Sequence, residues 1–156
     1  MLTKDQAIRV FNALIQTNID RIEGYEKALN ESDDLDIDLE SIFAKMINES
    51  RRNISELCNE VAALGGQSVS HSSFTSKVHK IWIDVKSTFN NRDIESLLDT
   101  CEFGEDAALE AYENALQTDA ELTIGQLNLI TRQKAGIQLA HNLVKQYRDM
   151  HETVTR

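Results

Sequence analysis

The chain has 156 residues, 41% of them hydrophobic, with six glycines and no proline, a composition typical of one folded domain rather than a disordered segment. It carries 26 acidic and 16 basic residues, which gives a net charge of −10. Because this excess repels the phosphates of nucleic acids and anionic lipids, we expect neither nucleic acid nor a membrane as a partner. The chain has no apolar stretch long enough for a bilayer, and its first residues lack the apolar core of a signal peptide. The sequence therefore predicts a cytoplasmic protein.

The two cysteines, Cys58 and Cys101, lie within helical apolar patterns and far from any cluster of histidine and cysteine. This spacing excludes a zinc finger-like site. The sequence predicts two buried free thiols rather than a disulfide.

Four long segments carry apolar residues at alternating spacings of three and four, the period of an amphipathic helix. The predicted helices cover residues 3–29, a segment that begins near 35–38 and runs to 64, residues 93–117, and 121 to near the C-terminus. The Gly65-Gly66 pair predicts a C-cap at the end of the second of these helices. A shorter stripe over residues 73–89 predicts one more helix on the long connection. We therefore predict an all-α fold with a single domain over residues 1–156. It is an antiparallel four-helix bundle with an extra short helix in the crossover between helices 2 and 3.

An internal repeat links the first and third long helices. The segment 25–30 (YEKALN) matches 112–117 (YENALQ), and the same register pairs Asn18 with Glu105. Each of these two residues is the polar interruption of its apolar stripe. The repeat predicts a bundle with approximate two-fold internal symmetry.

Polar residues interrupt every long stripe close to the middle of its helix. They are Asn18, Glu49, Ser50, Asn53, Glu105, Gln138 and His141. Because antiparallel helices of similar length align at their midpoints, we expect these side chains to meet in one buried layer. A buried glutamate costs several kcal/mol, on the order of 3–5, unless it is paired or coordinated. The candidate partners of Glu105 are His141, Arg52, Asn18, Tyr25, a water molecule and a metal ion.

The chain resembles the uncharacterised bacterial ferritin-like four-helix-bundle proteins, a family known only as a domain of unknown function. The resemblance implies a ferritin-like fold and no established activity. Its matching segments are 18–28 (NIDRIEGYEKA), 56–57, 64–66, 79–86 (HKIWIDVK), 104–109 (GEDAAL) and 140–141.

Ferritin-like di-iron proteins use one glutamate from each of two helices and Glu-x-x-His from each of the other two. In this chain Glu105 fits one of the single glutamates, and Asn18 stands at the other. The second helix has Arg52 three residues after Glu49, where histidine is expected. The last helix has Gln138 three residues before His141, where glutamate is expected. A full di-iron oxidase site is therefore not expected.

Two main hypotheses follow. The first is a non-catalytic helical bundle without a cofactor, forming a homodimer or larger oligomer and acting as a structural or stress-associated protein. In it, Glu105 and His141 form a hydrogen-bonded pair that fixes the register of the helices. The second is a metal-binding protein that holds iron, manganese or zinc with Glu105, His141 and Glu49. A third possibility is a partner-binding module that uses Phe74 and Trp82 of the short helix.

Overall fold

The structure, a computed structural model, describes residues 2–31, 35, 37–70 and 94–155. Within these ranges it contains four helices and no strand: α1 (Leu2–Glu31), α2 (Ile37–Ala63), α3 (Ile94–Leu116) and α4 (Ile124–Thr155). The predicted all-α fold with four long helices is confirmed. The predicted short helix over 73–89, with Phe74 and Trp82, lies outside the described residues.

The helices pack as two antiparallel hairpins. α1 lies along α2, and α3 lies along α4, while α1 also contacts α3. Of these neighbouring pairs of helices, α2 and α4 are in the least contact. The four helices therefore enclose one common interior, and the seam between α2 and α4 is its loosest side.

The C-terminus of α2 is closed by a glycine in the left-handed conformation. Gly65 has φ +80°, a value that glycine adopts without steric cost. The amide of Gly65 donates to the carbonyl of Ala62, and the amide of Gly66 donates to that of Val61, each over 3.0 Å. This pair of bonds is the Schellman motif, which satisfies carbonyls that the helix end leaves free. The C-cap predicted from the Gly65-Gly66 pair is confirmed.

α2 ends and α3 begins at opposite ends of the bundle. Gly66 lies against Ile8 near the start of α1, where an added Cβ would stand 2.8 Å from Ile8 Cδ1. Leu97, near the start of α3, packs instead in the same apolar cluster as Leu39, near the start of α2. α2 has 27 residues, so the two ends are separated by about 40 Å. This arrangement is that of a bundle with one long crossover connection.

α4 begins three residues later than predicted, because a capping box fixes its start. The amide of Gln126 donates to Thr123 Oγ1 over 3.1 Å, and the amide of Thr123 donates to Gln126 Oε1 over 2.9 Å. This reciprocal pair satisfies two backbone donors at the helix start. The signal is present in the sequence as Thr-x-x-Gln at 123–126.

The core has two apolar clusters. One cluster holds Tyr25, Phe43 and Leu98 near the end of the bundle where α3 begins. The other holds Phe11 and Leu57 towards the opposite end. Buried polar side chains occupy the level between them; these are Asn18, Arg21, Ser50, Asn53, Glu105 and Gln133. Polar interruptions of the apolar stripes thus meet inside the bundle, at one shared level.

Candidate functional site

The centre of the polar layer is an ion pair between α1 and α3. The side chains of Arg21 and Glu105 are both 0% exposed. Arg21 Nε donates to Glu105 Oε1 over 2.8 Å, and Nη2 donates to Oε2 over 2.9 Å. This bidentate geometry is the strong form of an arginine–carboxylate pair. Arg21 therefore answers the negative charge that the sequence places inside the bundle.

The remaining polar atoms of this pair are also satisfied. Arg21 Nη1 donates to Ser50 Oγ over 2.8 Å and to Glu49 Oε1 over 3.2 Å. The Tyr25 hydroxyl donates to Glu105 Oε1 over 2.9 Å. Each Glu105 oxygen accepts at least one hydrogen bond, and each guanidinium nitrogen donates one. A buried ion pair is tolerated only when its geometry and hydrogen bonds are this complete.

A second, neutral network continues the layer towards α4. Asn18 Nδ2 donates to the Tyr112 hydroxyl over 2.9 Å, and that hydroxyl donates to Gln133 Oε1 over 2.6 Å. Asn53 Nδ2 donates to Asn18 Oδ1 over 3.1 Å. Gln133 Nε2 returns to the Asn53 carbonyl over 3.3 Å. All four helices are thus joined by side-chain hydrogen bonds at one level.

The internal repeat appears in the hydrogen bonds. Tyr25 of α1 bonds to Glu105 of α3, and Tyr112 of α3 bonds to Asn18 of α1. The predicted register equates Tyr25 with Tyr112 and Asn18 with Glu105, so these two bonds are equivalent under the internal two-fold. The ion pair with Arg21 accompanies only the first of these two bonds, the one between Tyr25 and Glu105.

Burial sets the protonation states of the layer. Burial, and then the negative charge of Glu105, raise the pKa of Tyr25 and of the Cys101 thiol well above their usual values. Burial also raises the pKa of Tyr112. Burial is the largest single influence on the pKa of Arg21 and lowers it. The charges of Glu105, Tyr25 and Glu49 and the hydrogen bonds to Glu105 together outweigh burial, so the net direction of the pKa is upward. The phenols therefore remain neutral donors and the guanidinium remains charged, while Cys101 is a protonated thiol and a poor nucleophile.

The predicted ligand residues do not come together. Glu49 lies at the edge of the layer with a side chain 21% exposed, bonded to Arg21. His141 lies on the outer α3–α4 seam, where its Nε2 is 2.8 Å from Asp106 Oδ1 and 3.6 Å from Glu102 Oε1. Its partners do not include Glu105, so the predicted Glu105–His141 hydrogen-bonded pair is wrong.

The error lies in the register of α4. This helix has 32 residues, the longest of the four, so its midpoint lies beyond the level at which the other three helices are centred. The residue that reaches the layer is Gln133, which is 3% exposed. Gln138, which was predicted to reach it, is exposed, as is Arg52 of α2.

The inward positions of α2 and α4 carry neutral side chains. They are Ser50 and Asn53 on α2 and Gln133 on α4, with Gly136 three residues after Gln133. Within the ranges that the structure describes, no group of three or more His, Cys, Asp or Glu side chains is arranged to hold a metal ion. Metal ligation by Glu105, His141 and Glu49 stays a prediction, and it requires His141 to leave Asp106.

Three members of the layer, Arg21, Tyr112 and Gln133, are not among the predicted site residues. Arg21 lies three residues after Asn18 and four before Tyr25, so its spacing places it on the inward face of α1. Gln133 interrupts the apolar stripe of α4 between Ile130 and Ile137, which is the same signal that identified Glu105.

A groove along the α2–α4 seam reaches this layer from outside. It has a volume of about 420 Å³, and its walls include Glu49, Arg52, Asn53, Arg132, Gln133 and Gly136. Gly136 allows a close approach here, because a Cβ at this position would stand 3.2 Å from Glu49 Oε2. We refer to this feature as the α2–α4 groove.

Tyr112→Phe is expected to lower the free energy of unfolding by about 1–3 kcal/mol, the cost of leaving a buried polar partner unsatisfied. The lost hydroxyl bonds both Asn18 and Gln133. Urea denaturation measures the effect. The double variant Tyr112→Phe with Gln133→Leu should lose less free energy of unfolding than the sum of the two single losses. The reason is that the double variant no longer buries an unpaired amide oxygen. If the loss in the double variant equals the sum of the two single losses, the hydrogen bond between Tyr112 and Gln133 is contradicted.

The fold and the layer define a class of protein: an all-helical bundle with a buried ion pair and polar network at mid-height. Its described helices include none that is both long and apolar enough to cross a membrane. The chain belongs to DUF2383, a domain of unknown function, whose sequence profile matches residues 6–118. The match covers α2, α3 and all of α1 except its first four residues, and it ends before α4. A comparison with curated proteins gives no match.

Proposed function

We propose that this chain is a non-catalytic, ferritin-like helical bundle that acts as a structural or stress-associated protein in the bacterial cytoplasm. One observation carries the proposal: the Arg21 guanidinium lies between Glu105 and Glu49 and bonds to both. In a ferritin-like di-iron site, metal ions supply the positive charge among the inward carboxylates. Here a side chain of the protein itself supplies that charge.

The energetics of this arrangement support a structural role. A metal ion bound to Glu105 would have to displace Arg21, which is fully buried and bonded through all three of its nitrogens. Leaving a buried charge without its partner costs about 3–5 kcal/mol. The neutral Ser50, Asn53 and Gln133 offer a metal ion no carboxylate or imidazole in return.

The topology supports the ferritin-like assignment. The four described helices are antiparallel neighbours, and α2 ends at the opposite end of the bundle from the start of α3. Ferritin-like bundles have one long crossover connection, whereas simple up-and-down bundles have short loops throughout.

Metal analysis tests the proposal against its alternative, a metal-binding protein. We expect the protein, purified without a histidine tag and then exposed to iron(II), manganese or zinc, to retain less than stoichiometric metal. His141→Ala and Glu105→Gln should leave that content unchanged; the first keeps the layer intact, and the second keeps its shape. The proposal would be overturned if the native protein held stoichiometric metal and both variants lost it. That result would support metal ligation by Glu105, His141 and Glu49.

The proposal includes a homodimer formed through α4. Leu139 is 70% exposed and Met150 is 60% exposed, and the half-buried Leu143 lies between them on the same side of the helix. Spacings of four and seven residues are those of a seam between two packed helices, and a two-fold axis would bring the same seam of a second copy against it.

Light scattering at several protein concentrations tests the dimer. We expect a dimer for the native chain and a monomer for Leu139→Glu combined with Met150→Glu. The control is Phe103→Glu, which also charges an exposed apolar position, 65% exposed, but on α3. A native monomer, or a dimer that survives the double change, would contradict this interface.

A further inference from the structure

The α2–α4 groove contains two acceptor atoms that the fold leaves unused. Asn53 is 5% exposed, and its Nδ2 bonds to Asn18, while its Oδ1 accepts no hydrogen bond from the described residues. Glu49 accepts from Arg21 through Oε1, and its Oε2 has no donor in the same part of the chain. For the buried Asn53, an acceptor withdrawn from water without a donor costs about 1–3 kcal/mol. The Glu49 side chain is 21% exposed, so its free oxygen is accessible from the groove. Both acceptors suit the groove to a ligand that brings donors.

The groove also contains a guanidinium that forms no ion pair with the described residues. Arg132 is held by Glu56 at 2.6 Å, and the neighbouring Arg51 is held by Glu26 at 3.0 Å. Arg52 lines the groove together with Glu56 and forms no ion pair of this kind with the described residues. Its charge acts on Glu56 only as a smaller influence on the pKa of that carboxylate, which the hydrogen bond from Arg132 lowers most. It follows Glu49 by three residues, so the two side chains project from the same face of α2.

The charge of the layer favours a cationic group in the groove. Arg21 is one positive charge between two carboxylates, those of Glu105 and Glu49. Glu105 accepts hydrogen bonds from two nitrogens of the Arg21 guanidinium, whereas Glu49 accepts from only one. The excess negative charge therefore lies on Glu49, whose second oxygen faces Gly136 at the groove wall.

From this arrangement we propose that the α2–α4 groove binds a small zwitterion of the α-amino acid type. The ligand's ammonium donates to Glu49 Oε2 and Asn53 Oδ1, and its carboxylate binds the Arg52 guanidinium. The volume of about 420 Å³ lies in the range of small-molecule pockets, about 300–1,000 Å³. The inference is independent of the structural role proposed above.

Calorimetric titration of the full chain with glycine, alanine, glutamate and lysine tests the site. Acetate and methylammonium serve as probes that carry one charged group each. We expect at least one amino acid to bind at millimolar concentration or below, and each single-charge probe to bind at least about tenfold more weakly. Acetate binding as tightly as the best amino acid would overturn the zwitterion, and so would an absence of binding by all four amino acids.

Two variants link the binding to the groove. Arg52→Gln removes the Arg52 guanidinium, and Gly136→Ala places a methyl group against Glu49 Oε2; each should weaken amino acid binding by at least about tenfold. Their controls are Arg51→Gln on the same helix, outside the groove, and Gly125→Ala, where an added Cβ meets only Thr123 Oγ1 at 3.9 Å. Circular dichroism verifies folding. The site would be overturned if the control variants weakened amino acid binding as much as the test variants do. It would also be overturned if neither test variant weakened amino acid binding.

Discussion

Replacing Arg21 by methionine is expected to lower the free energy of unfolding by about 3–5 kcal/mol, the usual cost of removing one partner of a buried ion pair. Methionine keeps the length and apolar stem of the side chain but leaves Glu105 buried, with only the Tyr25 hydroxyl as a donor. Ser50 and Glu49 lose a donor as well. Urea denaturation at neutral pH measures the change.

The matched control is Arg51→Met on α2. Its side chain is 60% exposed and pairs with Glu26 at the surface, a kind of pair that contributes about 0–1 kcal/mol. Combining Arg21→Met with Glu105→Leu should recover much of the lost stability, because no uncompensated charge then remains buried. A cost for Arg21→Met no larger than that of the control would show that Arg21 does not neutralise the layer.

Phe43→Ala is expected to lower the free energy of unfolding by about 3–5 kcal/mol, the usual cost of truncating a buried phenylalanine. Phe43 is 0% exposed, and its ring packs on Tyr25 with centroids 5.1 Å apart and planes inclined by 44°. The cavity would lie beside the tyrosine that donates to Glu105. Denaturation followed by circular dichroism measures the loss.

Two comparisons test whether the stability loss of Phe43→Ala comes from its packing on Tyr25. Phe103→Ala, at a side chain 65% exposed, should change stability by no more than about 0.5 kcal/mol. A double-mutant cycle with Tyr25→Leu, which removes the second ring, should show a coupling energy of about 0.5–3 kcal/mol, since the two rings are in contact. If Phe43→Ala costs as little as Phe103→Ala, the packing of Phe43 on Tyr25 is not part of the core.

Local patterns predicted the four helices that the structure describes. The spacing of apolar residues located all four long helices, because burying one face of a helix requires that period whatever the partner is. The Gly65-Gly66 pair located the end of α2. The start of α4 was placed too early, although the Thr-x-x-Gln signal of its capping box is local as well.

The polar layer was predictable in part. Asn18, Ser50, Asn53 and Glu105 interrupt apolar stripes, and all four are buried at a common level. Tyr25 was among the proposed partners of Glu105 and is one of its donors. His141 and Arg52 were also proposed, and neither reaches Glu105.

The sequence by itself determined that the chain forms helices with apolar faces and that a carboxylate lies within one of those faces. Only the tertiary structure decided which cation neutralises it and which residue of α4 stands at its level. The physical reason is that helix periodicity fixes the direction of a side chain around its own axis, while the axial offset between two helices depends on packing along their whole length. Arg21 became the partner of Glu105 because the offset between α1 and α3 places the two side chains opposite each other.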